Sequence, residues 1–532
     1  MPSRFLRRLA GGLLVALASI APTAGAQGRA LAPSFDILIR HGRVLDGSGN
    51  PWVRADVGIR GDRIAAIGDL AGATAPTIIM ADSLYVAPGF IDTHSHAGES
   101  IARPALSGAQ QLLAQGLTTV FANPDGGGPV DLAAQRAAFE KNPLGVNIAQ
   151  MIGHGAVRGA VLGMQDRAPT PAELKQMEAL VQRGFDEGAF GFSSGPFYAP
   201  GSYSKTDELV DLTRIAARYH APYQSHIRDE SDYTVGLLAA VEEVITIARE
   251  AHTRGIVTHV KALGPDVWGF SAAIVQRIDR ARDEGVEVFA DQYPYDASST
   301  SLSAALVPRW AQVGGTAAFR ARIADSVQRA KMIPEMRQNL ARRGGAARLQ
   351  VASYGPDASL DGTTLAAIAA ARHADPIETA LALLAKGDVS VVSFNMLDED
   401  IERLMVQPWT MTSSDGALIA FGSGMPHPRG NGAFSRKIRK YVVEDHVVTL
   451  PAAIRSMTSL PATVFNLPDR GVLRAGAFAD VVVFDLAKVK DVATYEKPHQ
   501  MSEGMVDVLV NGHFAIRDGS FTTDRAGRVL RR

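Results

Sequence analysis

The sequence predicts an α/β protein, a (β/α)8 TIM-type barrel with a small discontinuous β-sandwich domain built from both chain ends. Three observations support this prediction. The middle of the chain alternates short apolar strands with amphipathic helices, the pattern of a parallel sheet. Both ends instead show the two-residue period of strands separated by Gly and Asp turns. The middle holds eight strand–helix units, which fit a closed barrel better than an open doubly wound sheet.

The composition excludes several classes of protein. The chain of 532 residues carries 54 Lys+Arg against 55 Asp+Glu, whereas an electrostatic nucleic-acid binder needs a basic stripe. The cysteine count is 0, which excludes disulfide scaffolds, Cys-ligated zinc, iron–sulfur clusters and thiol nucleophiles. Any bound metal must therefore be held by imidazole and carboxylate groups.

The N-terminus predicts a signal peptide over residues 1–26. A basic segment with Arg4, Arg7 and Arg8 precedes an uncharged run rich in Leu and Ala, and residues 24–26 offer a small-x-small cleavage site. The apolar run is shorter than the ~20 residues that a membrane-spanning helix requires. We therefore expect a periplasmic or secreted protein with no membrane segment after cleavage.

The predicted barrel occupies residues 86–466, and the β-sandwich takes residues 27–85 and 467–532. The candidate barrel strands are Phe90–Asp92, Thr118–Ala122, Val146–Ile152, Ala189–Phe192, Pro222–Ser225, Ile256–Thr258, Val286–Ala290 and Trp409–Thr412. The segment 297–390, rich in Ala and Arg, is too long for a plain loop, so we expect an insertion that forms a lid.

Two further segments carry local predictions. Thr170 and Glu173 form a capping box with proline between them, which predicts a helix that runs to Glu187 and stops at Gly188. The basic run 436–440 predicts a helix face exposed to solvent.

Metal-ligating side chains follow the ends of the predicted barrel strands, where the chemistry of such barrels takes place. These residues are His94 and His96 after strand one, Asp125 after strand two, His226 and His259 after strands five and six, and Asp415 after strand eight. A single such histidine is usually a hydrogen-bonded structural group, and a single such aspartate usually caps a helix. Together they predict a divalent metal site, because imidazole and carboxylate ligate zinc where thiolate is missing.

The motifs resemble those of a known family. The stretch Pro88-Gly89-Phe90-Ile91-Asp92-Thr93-His94-Ser95-His96 after a β-rich opening resembles the amidohydrolase superfamily. The segments 224–230, 258–261, 291–295 and 413–416, with His427-Pro428-Arg429, resemble the D-aminoacylase (N-acyl-D-amino-acid deacylase) branch. The resemblance runs from about residue 35 to 485. It implies a metal-dependent hydrolase that removes the acyl group from the nitrogen of a D-amino acid.

One departure from the family concerns the metal ligands. Typical D-aminoacylases read Gly-Asn-Cys-Gly after strand two, and the cysteine is a zinc ligand; here Asn123-Pro124-Asp125-Gly126 takes that place. The alternative reading is that Asp125 only caps the next helix. Predicted strand four has no lysine, so the carbamylated lysine that bridges two metals in other amidohydrolases has no counterpart.

The hypothesis for catalysis is one or two divalent ions, zinc or another metal, held by these ligands: Asp125, His226 and His259 for one ion, and His94 and His96 for a second. Such an ion lowers the pKa of bound water toward ~7. Asp415 would accept the proton of that water as general base and then donate it to the departing amine as general acid.

The substrate is expected to be a small N-acyl amino acid, whose α-carboxylate needs a cation or phenol. Candidate substrate-binding residues are Lys261 and Tyr198, which the family resemblance supports most, with Tyr293, Arg228, Arg429 and His154. Each arginine could instead form an ordinary ion pair, and His154 could orient other groups. The alternative functions are an exported dipeptidase, another amidohydrolase acting on a peptide-like or cyclic amide, and a catalytically silent binding protein.

Overall fold

The computed structural model describes residues 34–532, so the predicted signal peptide lies outside the described residues. Its strands in chain order are β1 (Ile37–Val44), β2 (Val53–Arg60), β3 (Arg63–Gly68), β4 (Thr77–Met80), β5 (Tyr85–Pro88), β6 (Phe90–Asp92), β7 (Leu117–Ala122), β8 (Asn147–Gln150), β9 (Ile152–Gly153), β10 (Phe192–Ser194), β11 (Tyr223–Ser225), β12 (Gly255–Val257), β13 (Val288–Gln292), β14 (Ala297–Ser301), β15 (Leu349–Ser353), β16 (Ser390–Phe394), β17 (Thr410–Thr412), β18 (Val481–Phe484), β19 (Met505–Val510), β20 (His513–Arg517) and β21 (Ser520–Phe521).

The α-helices in chain order are α1 (Gln110–Leu113), α2 (Leu132–Phe139), α3 (His154–Leu162), α4 (Pro171–Asp186), α5 (Thr206–Arg218), α6 (Leu237–Ala251), α7 (Ser271–Asp283), α8 (Leu302–Leu306), α9 (Gly315–Ala324), α10 (Ser326–Arg342), α11 (Leu365–Ala371), α12 (Pro376–Leu384), α13 (Asp398–Met405), α14 (Arg429–Arg436), α15 (Leu450–Met457) and α16 (Ser459–Val464). A π-helical segment, Lys437–Glu444, continues α14. Among residues 34–532, no helix has both the length and the apolar character needed to cross a membrane.

The predicted barrel is confirmed. Strands β6, β7 and β8 pair in parallel, as do β9 to β13 and β17, and only Met151 separates β8 from β9. The circle closes beyond the strand ends, where Asp415 donates its N–H to the carbonyl of His94 at 2.9 Å and His96 donates to Gly416 at 3.0 Å. All eight candidate strands contribute to this ring. The carboxyl ends of the strands therefore meet at one mouth.

Both chain ends contribute to one small β domain, as predicted. Strands β1 to β5 and β18 to β21 form a single mixed sheet of 9 strands, in which β5 pairs with β18 across most of the sequence. The alternating apolar residues of β1, β2 and β18 pack into one cluster that includes Ile39, Val57 and Val481. Strand β5 of this sheet directly precedes β6, the first barrel strand. Because β5 pairs with β18, the sheet brings the two ends of the barrel segment together.

The segment predicted as an insertion has a fold of its own. Strands β14, β16 and β15 form an antiparallel sheet that is separate from the barrel ring. Helices α8 to α12 pack on it around a core that includes Met332, Met336 and Leu349. The segment is therefore a folded unit with its own hydrophobic core and not an extended loop.

Two local predictions have different outcomes. The capping box is present, since Glu173 donates its N–H to the Thr170 hydroxyl at 3.3 Å and Thr170 donates its N–H to Glu173 at 2.7 Å. The prediction for 436–440 is wrong at Lys437, which is only 2% exposed and donates to the hydroxyls of Thr412 and Ser456 at 2.9 Å each. Burial lowers the pKa of Lys437 to about 7.

Candidate metal centre

The six candidate ligands meet at the mouth of the barrel. Each of them follows a barrel strand by a few residues: His94 and His96 after β6, Asp125 after β7, His226 after β11, His259 after β12 and Asp415 after β17. They form two groups whose ligand atoms lie within 4.8 Å of one another. We call His94, His96 and Asp415 subsite 1, and His226 and His259 subsite 2. Asp125 belongs to both groups.

Asp125 lies between the two subsites. Its Oδ1 is 3.3 Å from His94 Nε2 and 3.6 Å from His259 Nε2, and its Oδ2 is 3.3 Å from His96 Nε2. Burial alone would raise the pKa of Asp125, but the histidines, His94 foremost, hold it well below its usual range. The carboxylate is therefore ionised and directed at four imidazoles, as a bridging ligand requires.

The turn after β7 aims Asp125 at the site. Asp125 has φ of 57° and Gly126 has φ of 73°, so both residues adopt the left-handed conformation. Helix α2 is capped by Asp131, whose side chain accepts the N–H of Ala134 at 2.8 Å. The alternative in which Asp125 caps the next helix is therefore wrong.

Left-handed backbone also occurs at two other candidate ligands. His259 has φ of 33° and Asp415 has φ of 47°. Such conformations are costly in non-glycine residues and concentrate at functional sites. Their presence at Asp125, His259 and Asp415 indicates that the surrounding structure holds these side chains in place at some cost.

Several ligand atoms lack hydrogen-bond partners. Within residues 34–532, both ring nitrogens of His226, Nδ1 of His94 and Oδ1 of Asp125 are buried without one. Leaving buried polar atoms unpaired costs about 1–3 kcal/mol each. Two subsites of imidazole and carboxylate with unpaired atoms fit a divalent cation such as zinc, which takes these donors in tetrahedral or larger sets.

Asp415 connects subsite 1 to a cation. Its Oδ1 is 3.3 Å from His96 Nε2 and 3.5 Å from His94 Nε2, while its Oδ2 pairs with Arg429 at 2.7 Å. Burial would raise the pKa of Asp415, but the positive charges of Arg429 and His259 keep it below its usual value. One oxygen therefore faces the candidate metal position, and the other is fixed by a guanidinium group.

Glu230 is a carboxylate beside the histidines of subsite 2, as Asp415 is beside those of subsite 1. It was not among the candidate site residues predicted from the sequence. Its Oε1 is 3.1 Å from His259 Nδ1 and 3.7 Å from His226 Nε2. Lys261 donates to Glu230 Oε1 at 2.5 Å and lies 2.7 Å from His259 Nδ1. The available signal was that Glu230 comes four residues after His226, in a stretch already singled out by its motif.

Two buried aspartates below the ligands were also missed. Asp291 on β13 accepts the N–H of His259 at 2.9 Å and the hydroxyl of Ser413 at 2.7 Å. Asp92 on β6 accepts the N–H of His94 at 3.2 Å and the hydroxyl of Ser414 at 2.5 Å. These acceptors fix the backbone on which the candidate ligands stand.

The ligands open into a cavity of about 1190 Å³ between the barrel mouth and the insertion. Four of the predicted substrate-binding residues line it, namely Lys261, Tyr198, Tyr293 and Arg429. Burial raises the pKa of Tyr198 and Tyr293, so both phenols stay protonated and can donate a hydrogen bond. The insertion adds a row of hydroxyls from β14 and one arginine, Arg343.

His154 and Arg228 are not brought to this cavity. His154 Nε2 lies 2.8 Å from Glu208 on α5, a carboxylate that it shares with Arg158. Arg228 donates to both oxygens of Glu243 on α6, at 2.7 and 2.9 Å. His154 and Arg228 thus bind carboxylates of the outer helices, and they do not make the substrate contacts that the sequence predicted for them.

Comparison with known proteins agrees with this architecture. The amidohydrolase family model matches residues 77–516. The chain is 36% identical to the N-acyl-D-glutamate deacylase of Alcaligenes xylosoxydans xylosoxydans over 94% of this chain and 97% of the relative.

Two solved structures are similar throughout. One is the N-acyl-D-glutamate deacylase of Bordetella bronchiseptica with zinc and a phosphonate inhibitor that mimics the tetrahedral intermediate; its TM-score is 0.79 at 35% identity, covering 94% of this chain and 100% of that one. The other is a D-aminoacylase with a binuclear metal centre, with a TM-score of 0.80 at 31% identity over 94% and 100% of the two chains. This chain belongs to the amidohydrolase family.

Proposed function

We propose that this protein is a metal-dependent hydrolase that removes the N-acyl group from N-acyl-D-amino acids. The observation that carries the proposal is the group of four histidines and two aspartates at the barrel mouth, in which one of the aspartates, Asp415, is paired with Arg429. Relatives that share this chain's full architecture are named as deacylases of N-acyl-D-amino acids. The reaction splits a linear amide bond into a carboxylate and a free amine.

The residues present fit a divalent metal, zinc in the first place. His226, His259 and Asp125 would hold one ion, and His94 and His96 with Asp125 would hold a second. When bound, such an ion supplies a Lewis acid that activates water and polarises a carbonyl. The buried, unpaired nitrogens of His226 support this assignment, since neither makes a hydrogen bond to residues 34–532.

Asp415 is the proposed proton carrier. Its Oδ1 faces the imidazoles of subsite 1 and is free to accept the proton of the attacking water, because Arg429 binds the other oxygen, Oδ2. The same oxygen then returns the proton to the departing amine nitrogen, so the carboxylate ends the cycle ionised. Asp415 is ionised at neutral pH, because the positive charges of Arg429 and His259 hold its pKa below its usual value.

The cavity wall offers groups that can orient the substrate. Lys261, Tyr198, Tyr293 and Arg429 line the space next to the candidate ligands. The Arg429 guanidinium lies 4.6 Å from the centre of the Tyr293 ring, which restrains its position. Two neutral phenols and two cations in one wall suit a substrate that carries both an amide carbonyl and a carboxylate.

The test is a hydrolysis panel on zinc-loaded mature protein. Matched N-acetyl-D- and N-acetyl-L-amino acids, dipeptides and a cyclic amide are incubated, and free amine is measured. The proposal expects amine release from the D series, with L substrates and dipeptides at least about 10-fold slower in kcat/KM. Hydrolysis of dipeptides alone would transfer the protein to the alternative class, and no amide hydrolysis at all would refute the proposal.

We also propose that the protein is exported, on the strength of the basic segment, apolar run and cleavage motif in residues 1–26. Expression of the full chain in a Gram-negative host with a matched form lacking residues 1–26 tests this. The full chain should appear in the periplasm or medium with its N-terminus at Gln27, while the shortened form stays in the cytoplasm. An uncleaved cytoplasmic full chain would contradict it.

A further inference from the structure

Strand β14 of the insertion is an edge strand that faces the cavity of the candidate metal centre. Among the strands of residues 34–532 it pairs only with β16, so its other edge, which we call the outer edge, has no neighbouring strand. All of residues 298–301 line the cavity. Consecutive side chains of a strand point to opposite faces of a sheet, so a cavity lined by four consecutive residues lies along the edge of the strand and not over one face alone.

The register of β14 on β16 shows which backbone groups reach the outer edge. Leu302 donates its N–H to Val389 at 2.7 Å, which continues this register by one residue. Residue pairs of antiparallel strands alternate between pairs that exchange hydrogen bonds and pairs that do not. Thr300 therefore bonds to β16, whereas Ser299 turns its N–H and C=O to the outer edge. Apart from the pairing with β16, no backbone hydrogen bond from the described residues reaches these two groups.

One acceptor of the outer edge is already bound by the barrel. The carbonyl of Ala297, two residues before Ser299, lies on this edge, and Nε2 of His427 is 2.9 Å from its oxygen. Nδ1 of His427 accepts the N–H of Arg429 at 3.0 Å, so Nε2 carries the proton and donates it to Ala297. Arg429 in turn pairs with Asp415. The outer edge therefore runs from the candidate catalytic residues into the cavity.

The outer edge is within reach of a substrate bound at the ligands. The Thr300 hydroxyl lies 3.3 Å from the Tyr198 phenol, and the Tyr198 ring lies 4.6 Å from the ring of His226 in subsite 2. An extended chain advances about 3.3 Å per residue, so a peptide whose scissile carbonyl stands at the ligands reaches β14 within about two or three residues. The amino-acid part of the substrate ends in its own carboxylate, so only the acyl part can continue as such a chain.

The wall that the insertion sheet gives to the cavity is polar and uncharged. Besides residues 298–301 it consists of Ala352, Ser353 and Ser390. Hydroxyl groups both donate and accept hydrogen bonds, so this wall suits a neutral chain that carries donors and acceptors. The cavity of about 1190 Å³ also exceeds the ~300–1,000 Å³ that is common for drug-sized ligands, and an N-acetyl amino acid is smaller than these ligands. The space and the chemistry of the wall therefore fit a longer, amide-rich acyl group.

We propose that the acyl part of the substrate is an extended peptide that adds to the outer edge of β14 as a further strand, so that the protein releases a D-amino acid from the end of a peptide. An extended peptide presents N–H and C=O groups at the spacing of a strand edge. Water supplies the hydroxyl group that joins the peptide carbonyl carbon, the C–N bond breaks, and a proton goes to the nitrogen of the released D-amino acid. This inference rests on the proposed function and names its substrate class.

The length of the acyl chain tests this proposal on the zinc-loaded protein. Release of D-alanine is measured from N-acetyl-D-alanine and from substrates with one, two or three L-alanines between the acetyl group and the D-alanine. We expect kcat/KM to rise by about 10-fold or more once the chain reaches β14, because each added hydrogen bond contributes to binding. N-undecanoyl-D-alanine, whose acyl chain has as many backbone atoms as the longest of these but no internal amide, should not share the rise.

Substitution of Ser299 separates its backbone from its side chain. Ser299→Pro removes the N–H that the added strand would bind, and proline is tolerated on edge strands. It should lower the ratio of kcat/KM for the three-alanine substrate to that for N-acetyl-D-alanine at least about 5-fold. Ser299→Ala keeps the N–H and is the matched control, with a ratio within about 2-fold of wild type. An unchanged ratio in Ser299→Pro, or an equal loss in Ser299→Ala, would overturn the proposal.

Amide hydrogen exchange adds a readout that needs no turnover and no variant. The zinc-loaded protein is mixed with acetyl-trialanine amide, which carries no D-amino acid, and residues 297–301 should exchange more slowly than without the peptide. No rise of kcat/KM with chain length, an equal rise for the undecanoyl substrate, or unchanged exchange in β14 would overturn the proposal. Hydrolysis of N-acetyl-D-alanine in that case would leave the proposed function standing, whereas no hydrolysis of any substrate would refute both.

Discussion

The two subsites of the candidate metal centre share Asp125 but differ in enclosure. In subsite 2, the side chains of His226 and His259 are 5% and 2% exposed, and the buried Glu230 stands behind them. In subsite 1, the side chain of His96 is 26% exposed, and Asp415 lies beside it. His94 is fully buried, so the difference in exposure lies at His96, and His226, His259 and Glu230 line the cavity as well.

This difference indicates a division of work. An enclosed pair of imidazoles, supported by a carboxylate and Lys261, suits the retention of an ion. The partly exposed His96 beside the proton acceptor Asp415 suits contact with the substrate and water. We therefore expect that changes at subsite 1 mainly affect turnover and that changes at subsite 2 mainly affect metal affinity.

The largest effect is expected from Asp415→Asn. The amide cannot accept the proton of water, so kcat for an N-acyl-D-amino acid should fall by about 1000-fold or more. The zinc content, measured by elemental analysis, should stay close to that of wild type. Asp131→Asn, at the cap of α2, is the matched control and should retain activity, because Asn also caps helices. Retained turnover in Asp415→Asn would remove this residue from its assigned role.

Substitution of the shared ligand tests whether Asp125 joins the subsites. Asp125→Ala should weaken zinc binding by at least about 100-fold, since even the outer partners of metal ligands are worth 10–100-fold. Asp125→Cys, which introduces the residue that typical D-aminoacylases carry here, should keep zinc at subsite 2 through its thiolate. Equilibrium dialysis measures both. Full zinc occupancy in Asp125→Ala would show that the two subsites do not depend on this carboxylate.

A smaller effect is expected from Glu230→Gln, which weakens the support behind subsite 2. Loss of the negative charge beside His259 should lower zinc affinity by about 10-fold, while kcat at saturating zinc changes by less than about 3-fold. Glu243→Gln, whose carboxylate binds Arg228 away from the cavity, is the control and should leave zinc affinity intact. A fall in kcat at saturating zinc without a change in affinity would reverse the division between the subsites.

The smallest effect is expected from substitution of Lys437. This residue donates to Thr412 on β17, the strand that precedes Asp415 of subsite 1. Its pKa is about 7 in the folded protein, below its ordinary value of 10.5, so between these pH values the unfolded chain binds more protons than the folded one. The contribution of Lys437 to stability therefore rises with pH over this range. Lys437→Met should raise Tm by about 2 °C at pH 7, with the difference shrinking toward pH 10. A constant or negative difference would contradict this account of Lys437.

The barrel and the meeting of its six candidate ligands could be predicted because the topology of a parallel barrel determines where the strand ends lie. Parallel strands bring their carboxyl ends together, so residues far apart in sequence, such as His94 and Asp415, had to meet at one mouth. The capping box at Thr170 could also be predicted, because it depends only on residues three positions apart in the chain. The contribution of both chain ends to one β domain could be predicted from the alternating pattern that the two ends share, whereas the joining of their strands into a single mixed sheet of 9 strands could not.

What could not be predicted depends on partners from other elements. His154 and Arg228 follow strands like the true cavity residues, and only the positions of Glu208 and Glu243 on the outer helices show where they are bound. Lys437 lies in a basic run, and its burial follows from packing on Ser456. Arg343 belongs to a segment whose placement over the mouth no periodicity reveals.

The central claim is tested most directly by zinc titration of chelator-treated protein. Amine release from N-acetyl-D-glutamate and N-acetyl-D-glutamine is followed, with the L forms in parallel. The account predicts no release without metal, recovery on adding zinc, and preference for the D forms. Hydrolysis that survives complete removal of metal, or no hydrolysis of either D substrate at any zinc concentration, would contradict it.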